Sequence, residues 1–171
     1  MTRKTITTIA AVAVFGLSAL AALAATDPWS AAHARLSYTI YKPAQTLGYK
    51  ISSFGYQPCP GGKSKSSIYA TYGTYKGVLL SKTTGFGIFE GSPAICSDHA
   101  EYDSHGTRAI GGIKAVLGVY CDVPKHCSLA RGVKNGYILL WKRGATRIQM
   151  DSSHLTLVQF LKVAGSLTPA K

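Results

Sequence analysis

GYILLWKRGATRIQMDSSHLTLVQFLKVAGSLTP, residues 136–169, contains the clearest succession of structural signals in the chain. A short apolar run at 137–141 precedes the turn-forming tripeptide Lys142-Arg143-Gly144, in which glycine can adopt a positive φ. Residues 146–150 then alternate polar and apolar side chains, as a half-buried strand does. The stretch therefore predicts a β-hairpin.

A helix is predicted directly after this hairpin. Asp151, Ser152 and Ser153 have short side-chain oxygens that can cap free backbone N–H groups at a helix start. The apolar residues that follow at helical spacing are Leu157, Val158, Leu161 and Ala164. Gly165 and Pro169 would end the helix. Since neither a lone hairpin nor a lone helix is stable in water, the helix should pack on a larger sheet.

The earlier part of the chain supplies further strand patterns but no alternation of strands with long helices. The expected strands are 36–41, 47–54, 67–72, 77–82, 85–90 and 107–120, with a loop at 91–106. The glycines within 107–120 indicate either bulges or a division into two strands. Residues 67–82 are predicted to form a hairpin. This order predicts an α+β, mainly β fold, with an antiparallel sheet and one C-terminal helix packed on it.

The first 34 residues have the pattern of a signal peptide. Arg3 and Lys4 precede an uncharged, mostly apolar run at 6–25. Cleavage is predicted after Ala34, with Ala24 as the alternative site, and an uncleaved membrane anchor is a further alternative. We expect residues 35–171 to form a single secreted domain, in the periplasm or at the cell surface of a bacterium.

The chain is strongly basic, with 19 Lys and Arg against 7 Asp and Glu and a formal net charge of +12. Outside the cytoplasm, this charge favours anionic envelope polymers, phospholipid head groups or acidic glycans as partners. Specific recognition of nucleic acid is not expected. Solubility at a basic isoelectric point, without a specific partner, is the alternative interpretation.

Four cysteines follow the signal pattern, and export would place them where disulfides persist. Closeness in sequence favours a Cys121–Cys127 bridge, which leaves Cys59 to pair with Cys96. Zinc binding by these cysteines is the competing interpretation, although the chain has no Cys-x-x-Cys pair.

Basic residues interleaved with tyrosines form the most suggestive surface pattern. Aromatic rings stack on sugars while cations hold phosphate or carboxylate, so this composition suits an anionic polymer. The candidate ligand-binding residues are Lys63, Lys65, Tyr69, Tyr75, Lys142, Arg143 and Arg147. Strand spacing places Tyr69 and Tyr75 on one face of the sheet and Tyr72 on the other. Ordinary strand packing of tyrosine and edge protection by lysine is the alternative.

Catalysis has little support in the sequence. His99 and His105 lie in an acidic stretch at 96–106 and are candidate metal ligands, but a solvated loop explains the same residues. The chain has no Gly-x-Ser-x-Gly elbow and no Ser-x-x-Lys motif, so no catalytic residue is assigned and no cofactor is expected.

Four stretches carry a resemblance to known proteins: "YTIYKP" at 38–43, "LGYKI" at 47–51, "GFGIFEG" at 85–91 and the ending at 136–169. With them, the chain resembles extracytoplasmic bacterial domains of unknown function, which occur as secreted proteins and at the outer ends of some anti-sigma factors. Such domains are thought to be similar to the curved half-barrel of lipoprotein carriers and periplasmic stress sensors. The resemblance implies a sheet wrapped against helix and a binding or sensing role without catalysis.

These observations favour a non-catalytic cell-envelope protein that binds an anionic polymer or lipid head groups at a membrane surface. A half-barrel that carries or senses an apolar or lipid ligand is the first alternative, and a small secreted hydrolase or metalloenzyme is the second. A partner protein is a further possible target.

Overall fold

The computed structural model describes residues 27–57, 67–80, 82–92, 101–121 and 126–171. Nine strands and three α-helices lie in this part of the chain. The strands are β1 Tyr41–Pro43, β2 Ile51–Gln57, β3 Ser67–Gly73, β4 Gly85–Gly91, β5 Tyr102–Ile110, β6 Ile113–Tyr120, β7 Tyr137–Arg143, β8 Thr146–Ser153 and β9 Leu167–Pro169. The helices are α1 Pro28–His33, α2 Gly132–Asn135 and α3 Leu157–Gly165, with a 3-10 turn at Leu129–Arg131.

Seven strands form one antiparallel sheet in the order β2-β3-β4-β8-β7-β6-β5, and β1 pairs with β9 in a separate two-stranded ribbon. The prediction of a mainly β fold with an antiparallel sheet and a C-terminal helix is confirmed. None of the helices in the described ranges is long and apolar enough to cross a bilayer.

One face of the large sheet, here called the covered face, carries Ile88, Leu139 and Met150 and forms the core. Helix α3 packs there, with Phe160 fully buried and stacked on Tyr137. The covered face also receives α1 and the β1–β9 ribbon. The opposite face, here called the open face, carries Phe89, Leu140 and Gln149, and none of the described helices lies across its centre.

Helix α1 is part of this core although it precedes the domain boundary expected at residue 35. Trp29 and Ala32 are buried, and the Trp29 indole Nε1 donates a hydrogen bond of 3.2 Å to the Tyr72 hydroxyl. The Trp29 ring also meets Phe54 edge to face, with centroids 5.2 Å apart. The helix therefore closes the core over β2 and β3.

Four strand predictions differ from the structure. The second strand, expected at 47–54, is Ile51–Gln57, because Leu47 and Gly48 have positive φ and form a turn. The described residues 77–80 and 82 form no strand, because Gly77 and Leu79 both have positive φ, and β3 pairs with β4 instead. The first strand is only Tyr41–Pro43 and pairs with β9 outside the large sheet. Residues 102–106, expected in a loop, begin β5, and Gly111 and Gly112 form the turn that joins β5 to β6.

The start of the last helix also differs from the prediction. Asp151, Ser152 and Ser153 belong to β8, and Thr156 caps α3 in a reciprocal capping box with Gln159. Val158, expected on the buried stripe, is 77% exposed, whereas Phe160 and Val163 are buried.

The Cys121–Cys127 disulfide is present, as predicted. Cys59 and Cys96 lie outside the described residues. Residues 58–66, which include Lys63 and Lys65, and residues 93–100, which include Asp98 and His99, lie outside them as well.

Candidate binding face

Strand β8 builds the centre of the open face through simple alternation. Ile148 and Met150 point into the core, so the intervening residues Arg147, Gln149 and Asp151 share the open face. Gln149 lies opposite Phe89 of β4, and Asp151 lies opposite Gly87. A cation, an amide and a carboxylate therefore lie in this order on the open face of a central strand.

A cavity of about 700 Å³ lies on this face. Its walls come from β2, β3, β4, β8 and the end of β6 and from the segment that follows β3. The residues that line it are Ser53, Tyr56, Gln57, Tyr69, Thr71, Tyr75, Lys76, Gly77, Val78, Phe89, Tyr120, Gln149 and Asp151. The cavity thus combines aromatic walls with a polar floor.

Glycines make room for two of the aromatic walls. A Cβ on Gly87 would stand 2.9 Å from the rings of both Tyr75 and Phe89, and a Cβ on Gly55 would stand 2.8 Å from the Tyr69 ring. Real Cβ atoms do not approach so closely, so a larger residue at either position would displace these rings. Because glycine has no side chain, the rings of Tyr69, Tyr75 and Phe89 can pack directly on the backbone of the sheet.

Asp151 is the centre of a buried hydrogen-bond network. The Tyr120 hydroxyl donates to Oδ1 at 2.9 Å, and the Tyr75 hydroxyl reaches Oδ2 at 3.4 Å. The Gln149 amide nitrogen Nε2 lies 3.1 Å from Oδ1 and 2.9 Å from Oδ2. The carboxylate oxygens are therefore occupied by protein donors, which favours a positioning role for Asp151 over proton transfer to a ligand.

Burial governs the titration of this network. It raises the pKa of Asp151 to about 6, while the hydrogen bonds from Gln149, Tyr120 and Tyr75 act in the opposite direction. Burial also raises the pKa of both tyrosines far above the ordinary value, and the nearby Asp151 charge adds to this effect. Both hydroxyls are consequently protonated donors at neutral pH.

Cations follow the cavity along the open face, and we call Lys114, Lys142 and Arg147 the basic rim. Lys142 and Arg147 are exposed and lie directly opposite each other on β7 and β8. Lys114 is exposed two residues before Val116, whose partner Leu140 lies two residues before Lys142. Within the described ranges, no carboxylate forms an ion pair with any of the three.

Like charges placed directly opposite on neighbouring strands are destabilising. The Lys142–Arg147 pair therefore costs folding stability unless an anion lies between the two side chains. Arg147 also stands two residues from Gln149 on the same face, about 7 Å along the strand. The rim thus begins directly beside the cavity.

The structure brings together four of the seven residues predicted to bind a ligand. Tyr69 and Tyr75 line the cavity on one face, and Tyr72 is buried on the other, as the strand spacing predicted. Lys142 and Arg147 form part of the rim. Lys63 and Lys65 lie outside the described residues.

Arg143 is separated from this group, because it lies on the covered side of β7. Its guanidinium Nη1 donates to the Leu167 carbonyl oxygen at 3.0 Å and its carbon Cζ lies 4.7 Å from the centroid of the Tyr41 ring. Arg143 therefore joins the β1–β9 ribbon to the large sheet. The sequence prediction did not separate it from Lys142 because both were assigned to the turn, whereas both belong to β7 and face opposite sides.

His105, the described member of the two candidate metal ligands, lies beside the disulfide. Its Nε2 is 2.7 Å from the Cys127 carbonyl oxygen and 4.0 Å from Oδ2 of Asp103. The same Oδ2 accepts the Cys127 N–H at 3.0 Å and lies 3.4 Å from Nδ1 of His126. Among the described residues no group of three or more such side chains could hold a metal ion, and His99 is outside them.

Sequence reasoning missed Gln149 and Asp151 because Asp151 was interpreted as a helix cap. The alternation of residues 146–150 was the available signal for Gln149, but residues 151–153 are all polar and gave no sign that the strand extends to Ser153. Tyr120 and Gln57 had no distinguishing pattern of their own, since their roles depend on strand pairing that is distant in sequence.

No protein-family model matches the chain, and neither a curated protein nor a solved structure shows significant similarity to it. The site must therefore be interpreted from its own geometry.

Proposed function

We propose that the open face binds an anionic polysaccharide of the cell envelope without catalysing its reaction. The observation that carries this proposal is the directly opposed Lys142–Arg147 pair beside an aromatic cavity, with no ion pair to either cation in the described ranges. An anion between these side chains would offset their repulsion. Relief of this repulsion would therefore favour binding.

Aromatic walls next to the cations favour a glycan over a simple inorganic anion. Tyr69 and Phe89 offer ring faces on which sugar C–H groups can pack, while the rim holds carboxylate or phosphate. The polar floor favours a hydrated ligand over the apolar ligand of a lipid carrier, because an apolar group would leave the buried Oε1 of Gln149 without a hydrogen-bond donor.

The location belongs to the same proposal. The Cys121–Cys127 disulfide is compatible with an extracytoplasmic protein, since disulfides persist in oxidising compartments. The apolar run at 6–25 after Arg3 and Lys4 supports export.

Co-sedimentation of the oxidised protein with purified bacterial envelopes tests this function. We expect pelleting at low salt, loss at high salt, and loss at low salt in the double variant Lys142→Glu, Arg147→Glu. The matched control is Lys50→Glu, Lys162→Glu, which changes the net charge equally at two exposed lysines away from the rim and should pellet like the parent.

Two outcomes would contradict the proposal. Equal losses in the rim variant and in the control would show that net charge alone drives binding. Pelleting with phosphatidylglycerol vesicles, but not with lipid-free envelope polysaccharide, would assign the face to a membrane surface instead.

A further inference from the structure

Two amide oxygens in the cavity lining have no hydrogen-bond donor. They are Oε1 of Gln149 and Oε1 of Gln57, both buried and without a partner in the described part of the chain. Gln149 as a whole is only 2% exposed. An unpaired buried acceptor costs about 1–3 kcal/mol, so two of them in one cavity need a physical explanation.

The orientation of Gln149 follows from Asp151. The amide nitrogen must face the carboxylate, because the amide oxygen in its place would meet two acceptor oxygens and no donor. Oε1 is therefore fixed as the unpaired atom, and no rotation of the amide can satisfy it without breaking both contacts to Asp151. The network leaves an acceptor that protein groups in the described ranges do not fill.

The chemistry of the cavity restricts its ligand. Two unpaired acceptors require O–H or N–H donors, and the rings of Tyr69 and Phe89 favour a ligand with a flat apolar side. An anion is disfavoured beside the Asp151 carboxylate. A cation is disfavoured by Lys76 in the wall and by a chain with a net charge of +12.

We propose that the cavity is a specificity pocket for an uncharged sugar ring that bears hydroxyl or acylamino donors, paired with Gln57 and Gln149. The inference rests on the proposed function, because this ring would belong to the same polysaccharide whose anionic groups lie on the basic rim. The spacing of Gln149 and Arg147, about 7 Å along β8, suits a neutral ring in the pocket and an acidic neighbour at the rim. The preferred polymer therefore alternates uncharged and acidic sugars.

Two polysaccharides distinguish binding in the pocket from binding at the basic rim. Hyaluronate alternates N-acetylglucosamine with glucuronate, whereas polygalacturonate carries a carboxylate on every ring and has no acylamino group. We expect the oxidised full domain to bind hyaluronate about tenfold more tightly at equal carboxylate concentration, as measured by isothermal titration calorimetry. The preference should persist as salt weakens both affinities.

Variants test whether the preference for hyaluronate over polygalacturonate arises in the pocket. Gln57→Met removes an unpaired acceptor with little change of volume and should lower hyaluronate affinity about tenfold, leaving polygalacturonate unchanged. Gln45→Met, at an exposed position outside the cavity, is the matched control. Tyr69→Leu should act like Gln57→Met, and Tyr102→Leu, a tyrosine that does not line the cavity, should have no effect. Cooperative thermal unfolding verifies that each variant is folded.

These measurements distinguish failure of the pocket inference from failure of the proposed function. Equal affinity for the two polymers, with no effect of Gln57→Met, would overturn the pocket inference while salt-sensitive binding still supported the proposed function. Binding of neutral N-acetylglucosamine oligomers but of neither acidic polymer would support the pocket and overturn the proposed function. Binding of neither class would overturn both.

Discussion

Asp151 is the residue at which the electrostatics of the site can be measured directly. Its folded-state pKa of about 6 lies above the ordinary value of 3.8. The folded protein therefore holds the proton more tightly than the unfolded chain, and the stability from this group is lost as pH rises from about 4 through about 6. The shift corresponds to about 3 kcal/mol.

Asp151→Asn removes this titration. We expect the variant to gain about 3 kcal/mol of unfolding free energy relative to the parent between pH 4 and pH 7, as measured by urea denaturation with the disulfide intact. Its absolute stability at either pH also reflects the altered contacts to Tyr75, Tyr120 and Gln149. A difference that stays constant with pH would contradict the raised pKa of the buried Asp151 carboxyl.

Asp27→Asn is a control for which the change of stability with pH should have the opposite sign. Slight burial raises the pKa of Asp27, but the hydrogen bond and the charge of Lys42, with the backbone N–H of Trp29, outweigh it and leave the pKa below 3.8. That variant should lose stability relative to the parent as pH rises through the acidic range.

Another buried carboxylate, Glu90, contributes in the same sense as Asp151. It lies on the covered face, where burial raises its pKa well above the ordinary value despite the hydrogen bond from the Tyr41 N–H. The Asp151→Asn variant should therefore retain part of the pH dependence of the parent. This remaining pH dependence comes from Glu90, which lies outside the cavity.

At the scale of elements, the β7–β8 hairpin carries both stability and binding. Lys142→Thr removes one member of a like-charged cross-strand pair and introduces a residue that favours strands. We expect an increase of about 0.5 kcal/mol in unfolding free energy at low salt, together with weaker polysaccharide binding. Lys134→Thr, at an exposed lysine of α2, should not weaken binding.

Denaturation at low and high salt, alongside polymer titration, measures both effects. The gain in stability should shrink at high salt, because salt screens the repulsion that the mutation removes. A variant that is less stable than the parent at low salt, or one that binds the polymer normally, would contradict the interpretation of the hairpin.

Local signals predicted some elements and failed for others for identifiable reasons. The β7–β8 hairpin was predictable because its turn residues, including Gly144, lie between two strand patterns. The partner of β3 was not, because residues 77–82 look apolar and strand-like while Leu79 adopts φ of 62° in the native chain. That conformation is stabilised by tertiary contacts, including the Leu79 N–H bond to the Asn135 carbonyl oxygen.

The candidate site divides in the same way. Alternation along a strand predicted the faces of Tyr69 and Tyr72, and composition predicted Lys142 and Arg147. The meeting of Gln57, Tyr120 and Gln149 in one cavity depends on strands far apart in sequence, which periodicity does not reveal.

At the scale of the whole molecule, α1 determines where the folded domain begins. Cleavage after Ala34 would remove Trp29 from the core, whereas cleavage after Ala24 would retain it. We expect a chain beginning at residue 35 to be less stable than one beginning at residue 25 by about 3–5 kcal/mol, the range for loss of a buried tryptophan. Trp29→Ala in the longer chain should reproduce most of this loss.

Chemical denaturation of the two chains checks this prediction, with His33→Ala as a control at an exposed position of the same helix. Equal stability of the two chains would contradict a structural role for α1. If the protein is exported as proposed, N-terminal sequencing of the mature chain decides between the two cleavage sites.

The most direct test of the central claim is to map the bound polysaccharide by amide chemical shifts in ¹⁵N NMR. Titration with hyaluronate should shift the amides of β4, β7 and β8 next to the cavity and the basic rim, and leave α3 and the β1–β9 ribbon unchanged. Shifts confined to α1, α3 or the ribbon, or no shifts at saturating polymer, would contradict the assignment of the open face as the binding surface.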